Sequence, residues 1–325
     1  MYRREFLKGA AAGLVLLPHT PLGGLTENVL GRRRSRVALI RTSDRKEGVR
    51  RAMALLNPAG IAGKNVMLKP NFNTADPAPA GTHNDTLTQL IQELRERDAR
   101  EVAVGESSFP PTDQVMEDKG VLDLANDMGF GVVNYDAIHD NEWIHFKPAG
   151  THWPDGFHLP RHVVEAEYNV STCCLKTHQH GGVFTMSMKL SVGLTPKPIR
   201  RTMHRSPDMR RMIAELNQGY TPDLIVMDGI LAFTDGGPSS GELKEANVMV
   251  AGTDQVAVDA VGVAILKELG SNAAIMDKPI FQQEQMARAV EVGLGVGGPD
   301  EIQLVSDDPA GTAYAERIQG ILAQG

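Results

Sequence analysis

Along the chain, short apolar runs alternate with stretches in which apolar residues recur every three or four positions. The runs, at residues 37–40, 66–68, 102–104, 131–134, 170–175, 224–227, 248–251 and 302–305, read as strands buried in a sheet. The periodic stretches read as helices. Leu87, Leu90, Ile91 and Leu94 form one stripe, and Ser206-Pro207-Asp208 opens another with proline where its missing N–H costs nothing. Residues 254–269, 279–292 and 312–322 complete the set. Strand and helix in alternation predict an α/β fold, a largely parallel or mixed sheet with helices on both faces. Residues 136–162, rich in His, Trp, Pro and Gly, break the rhythm and predict an irregular insertion or a small antiparallel flap. The Gly- and Pro-rich loops at 235–241 and 293–299 carry no dinucleotide or P-loop fingerprint, since no G-x-G-x-x-G opens a helix after the first strand.

The first 35 residues stand apart as a signal and linker, leaving 36–325 as a single α/β domain. Arg3-Arg4-Glu5-Phe6-Leu7-Lys8, an apolar run over 9–17 and the breaker Pro18 resemble a twin-arginine export signal. The run is about half of the roughly 20 residues that a bilayer core requires, so no stable membrane anchor is expected. The expected partner is the twin-arginine export machinery, and the expected location is periplasmic or extracellular. Because that route carries folded proteins, a bound metal or prosthetic group is favoured.

Charge and cysteine content narrow the function. The formal charge is −7, and because Arg3, Arg4, Lys8, Arg32, Arg33, Arg34 and Arg36 crowd the start, the body is more acidic still. An acidic body argues against nucleic acid as a partner. Cys173 and Cys174 are adjacent and are the only two cysteines. They are too few for a cysteine-only zinc site or an iron–sulfur cluster, so no cluster is expected. They read as small apolar side chains at the end of a buried strand.

In an open parallel sheet, ligands bind beyond the carboxyl ends of the strands. Five of the predicted strands run straight into ionisable residues there: Lys69, Glu106, Lys176 with His178 and His180, Asp228, and Asp254. Extended backbone over 176–180 would turn Lys176, His178 and His180 to one side. The two imidazoles could share a divalent metal with Asp228 or Asp254, or be merely solvated. Lys69, Lys176 and Lys189 follow or adjoin buried segments, where an ammonium must meet an anion, pair with a carboxylate or lose its proton. They predict a small anionic molecule, phosphate or carboxylate, or salt bridges to Asp228, Asp254 and Glu106. Asp254 also reads as the N-cap of the helix that follows, and Asp259 is a carboxylate in an apolar helix that needs a partner.

The ordered blocks Lys69-Pro70-Asn71, Leu175-Lys176-Thr177-His178, 188–193, Val226-Met227-Asp228-Gly229-Ile230, 236–241, 251–259 and Gly293-Leu294-Gly295 resemble the DUF362 family over nearly all of 36–306. The resemblance implies an α/β domain of unassigned activity, with Lys69, Lys176, His178, Lys189, Asp228, Asp254 and Asp259 at its characteristic positions. Many members carry a ferredoxin-like cysteine-rich module, which this chain lacks, and Lys189-Leu190 stands where relatives tend to have Lys-Asn. The leading expectation is an exported metal-dependent enzyme of hydrolase or isomerase type, with Lys69, Lys176, Lys189, Glu106 and Asp259 in catalysis and His178, His180, Asp228 and Asp254 on the metal. A non-catalytic metal- or anion-binding protein is the alternative, and a redox accessory protein the third.

Overall fold

The structure is a computed structural model that describes residues 34–325, so the twin-arginine segment lies outside the described residues. Its strands are β1 (Ser35–Arg41), β2 (Asn65–Lys69), β3 (Glu101–Glu106), β4 (Gly131–Asn134), β5 (Trp143–Phe146), β6 (Phe157–Pro160), β7 (Tyr168–His178), β8 (Val183–Phe184), β9 (Leu224–Gly236), β10 (Gly241–Gly252) and β11 (Ile302–Val305). The main sheet has the order β11-β1-β10-β9-β7-β2-β3-β4, with β8 added to the end of β7. β10 is antiparallel to both neighbours, and β8 to β7; the other pairings are parallel. The α/β reading of the hydrophobic pattern therefore holds, as a mixed and mostly parallel sheet.

Each central strand is apolar on both sides, as a sheet covered twice requires. Val37 and Leu39 of β1, Ile225 and Met227 of β9, and Val248 and Val250 of β10 join one core, shared with the helices Gln255–Leu269 and Pro309–Gln324. Ala38, Ile40, Leu224, Val226, Met249 and Ala251 join the other, beneath Arg45–Leu56 and Asn84–Glu96. Two cores on opposite faces follow from the side-chain alternation along each strand. The irregular stretch foreseen at 136–162 contains the hairpin β5–β6, joined to short turns of 3₁₀ helix.

Strand direction corrects one expectation. β10 runs against its neighbours and pairs Gly252 with Val37 and Ile225 at their starting ends. Asp254 therefore leaves the sheet at the rim opposite to Lys69, Glu106 and His178. Asp228 is not at a rim at all, because β9 continues past it to Gly236.

Candidate functional site

Three adjacent parallel strands, β7, β2 and β3, end in Lys176 with His178, in Lys69 and in Glu106. Beyond these ends lies a cavity of about 550 Å³. Its far wall is the segment after β8, made of the turn Ser187–Leu190, the 3₁₀ turn Ser191–Leu194 and the helix Lys197–Arg205, and the β9–β10 turn adds Pro238 to its rim. Six of the nine residues singled out in the sequence line it: Lys69, Glu106, Lys176, His178, His180 and Lys189.

The lysines there have different fates. Lys69 Nζ meets Glu106 Oε1 at 2.7 Å and also donates to the Pro70 carbonyl. Glu106 accepts the Phe72 and Ser107 amides at 2.8 Å as well, so the carboxylate is fully engaged. Gly193 closes over this pair: a Cβ there would lie 2.8 Å from Glu106 Oε1 and 3.0 Å from Lys69 Nζ. Lys176 donates to the Ala80 and Pro238 carbonyls, neutral acceptors that leave its charge uncompensated. Burial pushes it down to about 8. Lys189 has no hydrogen-bond or ion-pair partner among the described residues. Burial, with Lys176 and Arg200 as neighbouring cations, lowers it to about 7.

His178 is buried at the end of β7, and its Nδ1 accepts the Gly182 amide at 3.3 Å. That bond places the ring proton on Nε2. Burial and then Lys189 and His204 hold the ring down to about 2, so it is neutral across the ordinary pH range. Gly182 permits this approach: a Cβ would meet His178 Nδ1 at 2.8 Å and Lys189 Cε at 3.2 Å. His180 lies just past the strand, exposed at the mouth.

The predicted metal set does not assemble. Asp228 Oδ2 accepts from Arg45 Nε and Thr86 Oγ1, both at 2.8 Å, and Oδ1 accepts the Ile230 amide. It pins the first turns of two helices to the sheet, where their dipoles favour a carboxylate. Asp254 caps Gln255–Leu269 through the Val256 and Ala257 amides and holds the 293–299 loop through the Val296 amide. Neither carboxylate lines the cavity. Among the described residues no group of three or more His, Cys, Asp or Glu is placed to hold a metal ion. His178 has one nitrogen occupied and stands among ammonium groups that repel a divalent cation, so the residues present do not fit one.

Asp259 also sits outside the cavity, wholly buried. It accepts the Ser187 amide at 2.7 Å and the Met188 amide at 3.0 Å, against a burial that pushes its carboxyl up to about 7. Those amides open the turn that carries Lys189, so Asp259 is a positioning residue for that lysine.

The sequence reading overlooked the helix Lys197–Arg205. Lys197, Arg200, Arg201 and His204 all line the cavity, and their spacing was the available signal, a basic stripe on one helix face. Arg200 donates to the Ser107 carbonyl at 2.8 Å and to the Ser107 hydroxyl. Behind it Asp136 accepts from Ser107, from Thr112 Oγ1 and from Lys197 Nζ at 2.8 Å. Burial opposes ionisation of Asp136, but these donors hold it below the usual carboxylate range. Of the six cationic side chains among the described lining residues, Lys69 is paired with Glu106, Lys197 and Arg200 share Asp136 behind the wall, and Lys176, Lys189 and Arg201 have no carboxylate partner among the described residues.

Fold and site together define an α/β protein with a cation-lined cavity at the carboxyl edge of its parallel strands. The chain belongs to the family described as a domain of unknown function, DUF362, which it matches over residues 66–264. It is 24% identical over 250 residues to the thylakoid-associated protein sll1697 of Synechocystis sp., covering 71% of this chain and 74% of that one. The lactate racemase apoprotein of Thermoanaerobacterium thermosaccharolyticum aligns with a TM-score of 0.49 and 18% identity, over 72% of this chain and 58% of that one. A structural-genomics protein of Thermotoga maritima aligns at 0.40 and 13%, over 62% and 54%. The chain therefore spans somewhat more than half the length of each of these solved structures.

Proposed function

We propose that this protein is an enzyme that takes up a small organic anion, carboxylate or phosphate, at the carboxyl edge of its sheet and moves a proton on it. The carrying observation is the charge imbalance of the cavity. Lys176 and Lys189 are buried ammonium groups without a carboxylate, an arrangement that is costly unless a ligand supplies the negative charge. Lys176 and Arg200 would hold the anion's oxygens. Lys189, close to neutrality in its proton affinity, would serve as the base and return the proton as the acid. His178 presents Nε2–H as a neutral donor to a developing oxyanion. Met186, Leu190 and Val192 give the cavity an apolar side, which favours an organic anion over an inorganic one.

Binding titrations test this directly. An anion that neutralises the cavity raises the proton affinity of Lys189 and Lys176, which sit at about 7 and about 8. Binding at about pH 8 is therefore expected to take up protons, visible as a calorimetric heat that changes with the ionisation enthalpy of the buffer. Anion binding with no proton uptake would remove Lys189 and Lys176 from the site. Binding without turnover of any acid or ester would favour a solute-capture protein.

We further propose that the protein acts outside the cytoplasm, on the support of Arg3-Arg4 and the apolar run that follows. Changing Arg3 and Arg4 together to Lys is expected to leave the protein in the cytoplasmic fraction. Unchanged fractionation would end the export reading.

A further inference from the structure

Of the three buried lysines among the described residues, Lys189 alone lacks an acceptor. Lys69 is paired with Glu106, and Lys176 is spanned between two carbonyl oxygens. Lys189 sits at 9% exposure on the cavity wall, and its turn is anchored from behind by the hydrogen bonds that the Ser187 and Met188 amides donate to Asp259. A fixed, desolvated amine beside other cations is the arrangement that makes lysine a carbon nucleophile as well as a base. We infer that the anion carries a carbonyl next to its carboxylate, a 2-oxo acid, and that Lys189 joins it as an iminium. This rests on the anion-site reading above and, once the iminium forms, takes Lys189 out of the base role given there.

The step balances without any further reactant. The lone pair of the Lys189 amine attacks the carbonyl carbon and forms the C–N bond, while the carbonyl π pair moves to oxygen. The nitrogen gives up one proton and the oxygen gains two, one of them from solvent, which reaches the cavity past Phe109 and His180. Water then leaves, and the C=N⁺ bond closes with no change of oxidation state. The local chemistry suits each part. Lys176 and Arg200 receive the carboxylate, whose single negative charge offsets that of the iminium, while Arg200 already has Asp136 at 3.7 Å. His178, neutral with its proton on Nε2, donates a hydrogen bond to the carbinolamine oxygen. The apolar flank of Met186, Leu190 and Val192 accommodates the short chain of the acid and disfavours return of water. An iminium in turn withdraws electrons from the neighbouring carbon, which makes proton removal or loss of a carboxyl there easy.

Reductive trapping decides the matter. The full-length protein is incubated with pyruvate, 2-oxobutyrate or 2-oxoglutarate and cyanoborohydride, with lactate as the carbonyl-free comparison, and its mass and peptides are then measured. One adduct per chain is expected, saturable, on the peptide carrying Lys189, and absent with lactate. At acid concentrations well below saturation its rate is expected to rise about tenfold from about pH 6 to about pH 8, as the amine of the unliganded protein loses its proton near 7. Lys189→Arg is expected to abolish it, and the peptide map of the wild-type protein decides even if that variant does not fold. Adducts scattered over surface lysines, or none, while the same acids still bind in the calorimeter, would overturn the iminium and leave the anion site standing. No binding of any of these acids, nor of an organic phosphate such as glycerol phosphate, would overturn both.

Discussion

Lys189→Met is expected to lower turnover of the anionic substrate by about 10²–10⁴-fold, the usual worth of a positioned acid–base group, while making the unliganded protein more stable. The two effects come from one fact: an ammonium is held where burial, Lys176 and Arg200 all oppose its charge. In the unfolded chain a lysine titrates near 10.4. In the folded protein Lys189 does so at about 7, so between these values the unfolded state holds the proton that the native state has released. Stability must therefore rise with pH across that window, and the full penalty is present below about pH 7. Lys176 adds a second such proton between about pH 8 and the unfolded value. Urea unfolding of the wild type is expected to show a slope of about 1.4 kcal/mol per pH unit between pH 7 and 8. Above about pH 8.5 the buried Cys173 and Cys174 thiols, which burial pushes up, keep protons that the unfolded chain has released and oppose the lysines. The methionine variant is expected to be nearly flat between about pH 7 and 8. A variant less stable than wild type at pH 7 would show that Lys189 has a structural partner, and the proton-transfer role would fall with it.

Glu106→Ala is expected to act in the opposite sense, costing about 3–5 kcal/mol, the range for removing one partner of a buried pair. The Phe72 and Ser107 amides lose their acceptor at once, and the Lys69 ammonium loses its counter-charge. Lys69 is 2% exposed, so its ammonium would be left with the Pro70 carbonyl as its protein acceptor. The gap left is also overlain by the close-packed Gly193 backbone. Chemical denaturation measures the cost, and Glu106→Gln, which keeps an acceptor oxygen, is expected to recover part of it. A loss below about 1 kcal/mol would mean that Glu106 is not the anchor of this corner, and that Lys69 is free to serve the ligand. Together the two substitutions separate what the cavity needs to exist from what it needs to work: Lys69 and Glu106 form its floor, Lys189 its reactive group.

Much of the molecule was legible in the residues. Runs such as Val37–Ile40 and Val248–Ala251, apolar at every position, can be buried only in a sheet covered on both faces, and the family blocks fall in the order that such a fold demands. That Lys69 and Glu106 both stand at strand ends was equally readable, because each closes an apolar run. Helical spacing would also have exposed Arg200 and its neighbours as a basic face turned to one side.

The direction of β10 was not legible, since a strand of Val and Ala carries no mark of its polarity, and a hairpin turn after Gly236 sends Asp254 to the far rim. Nor was the length of β9, which hides Asp228 beneath two helices where Arg45 and Thr86 claim it. Local sequence fixes which side chains are apolar, charged or turn-forming, because those properties belong to single residues and near neighbours. Which charges meet, and which are left without a counter-charge, depends on contacts between segments distant along the chain. Only the folded structure decided that Lys69 is paired while Lys189 is not.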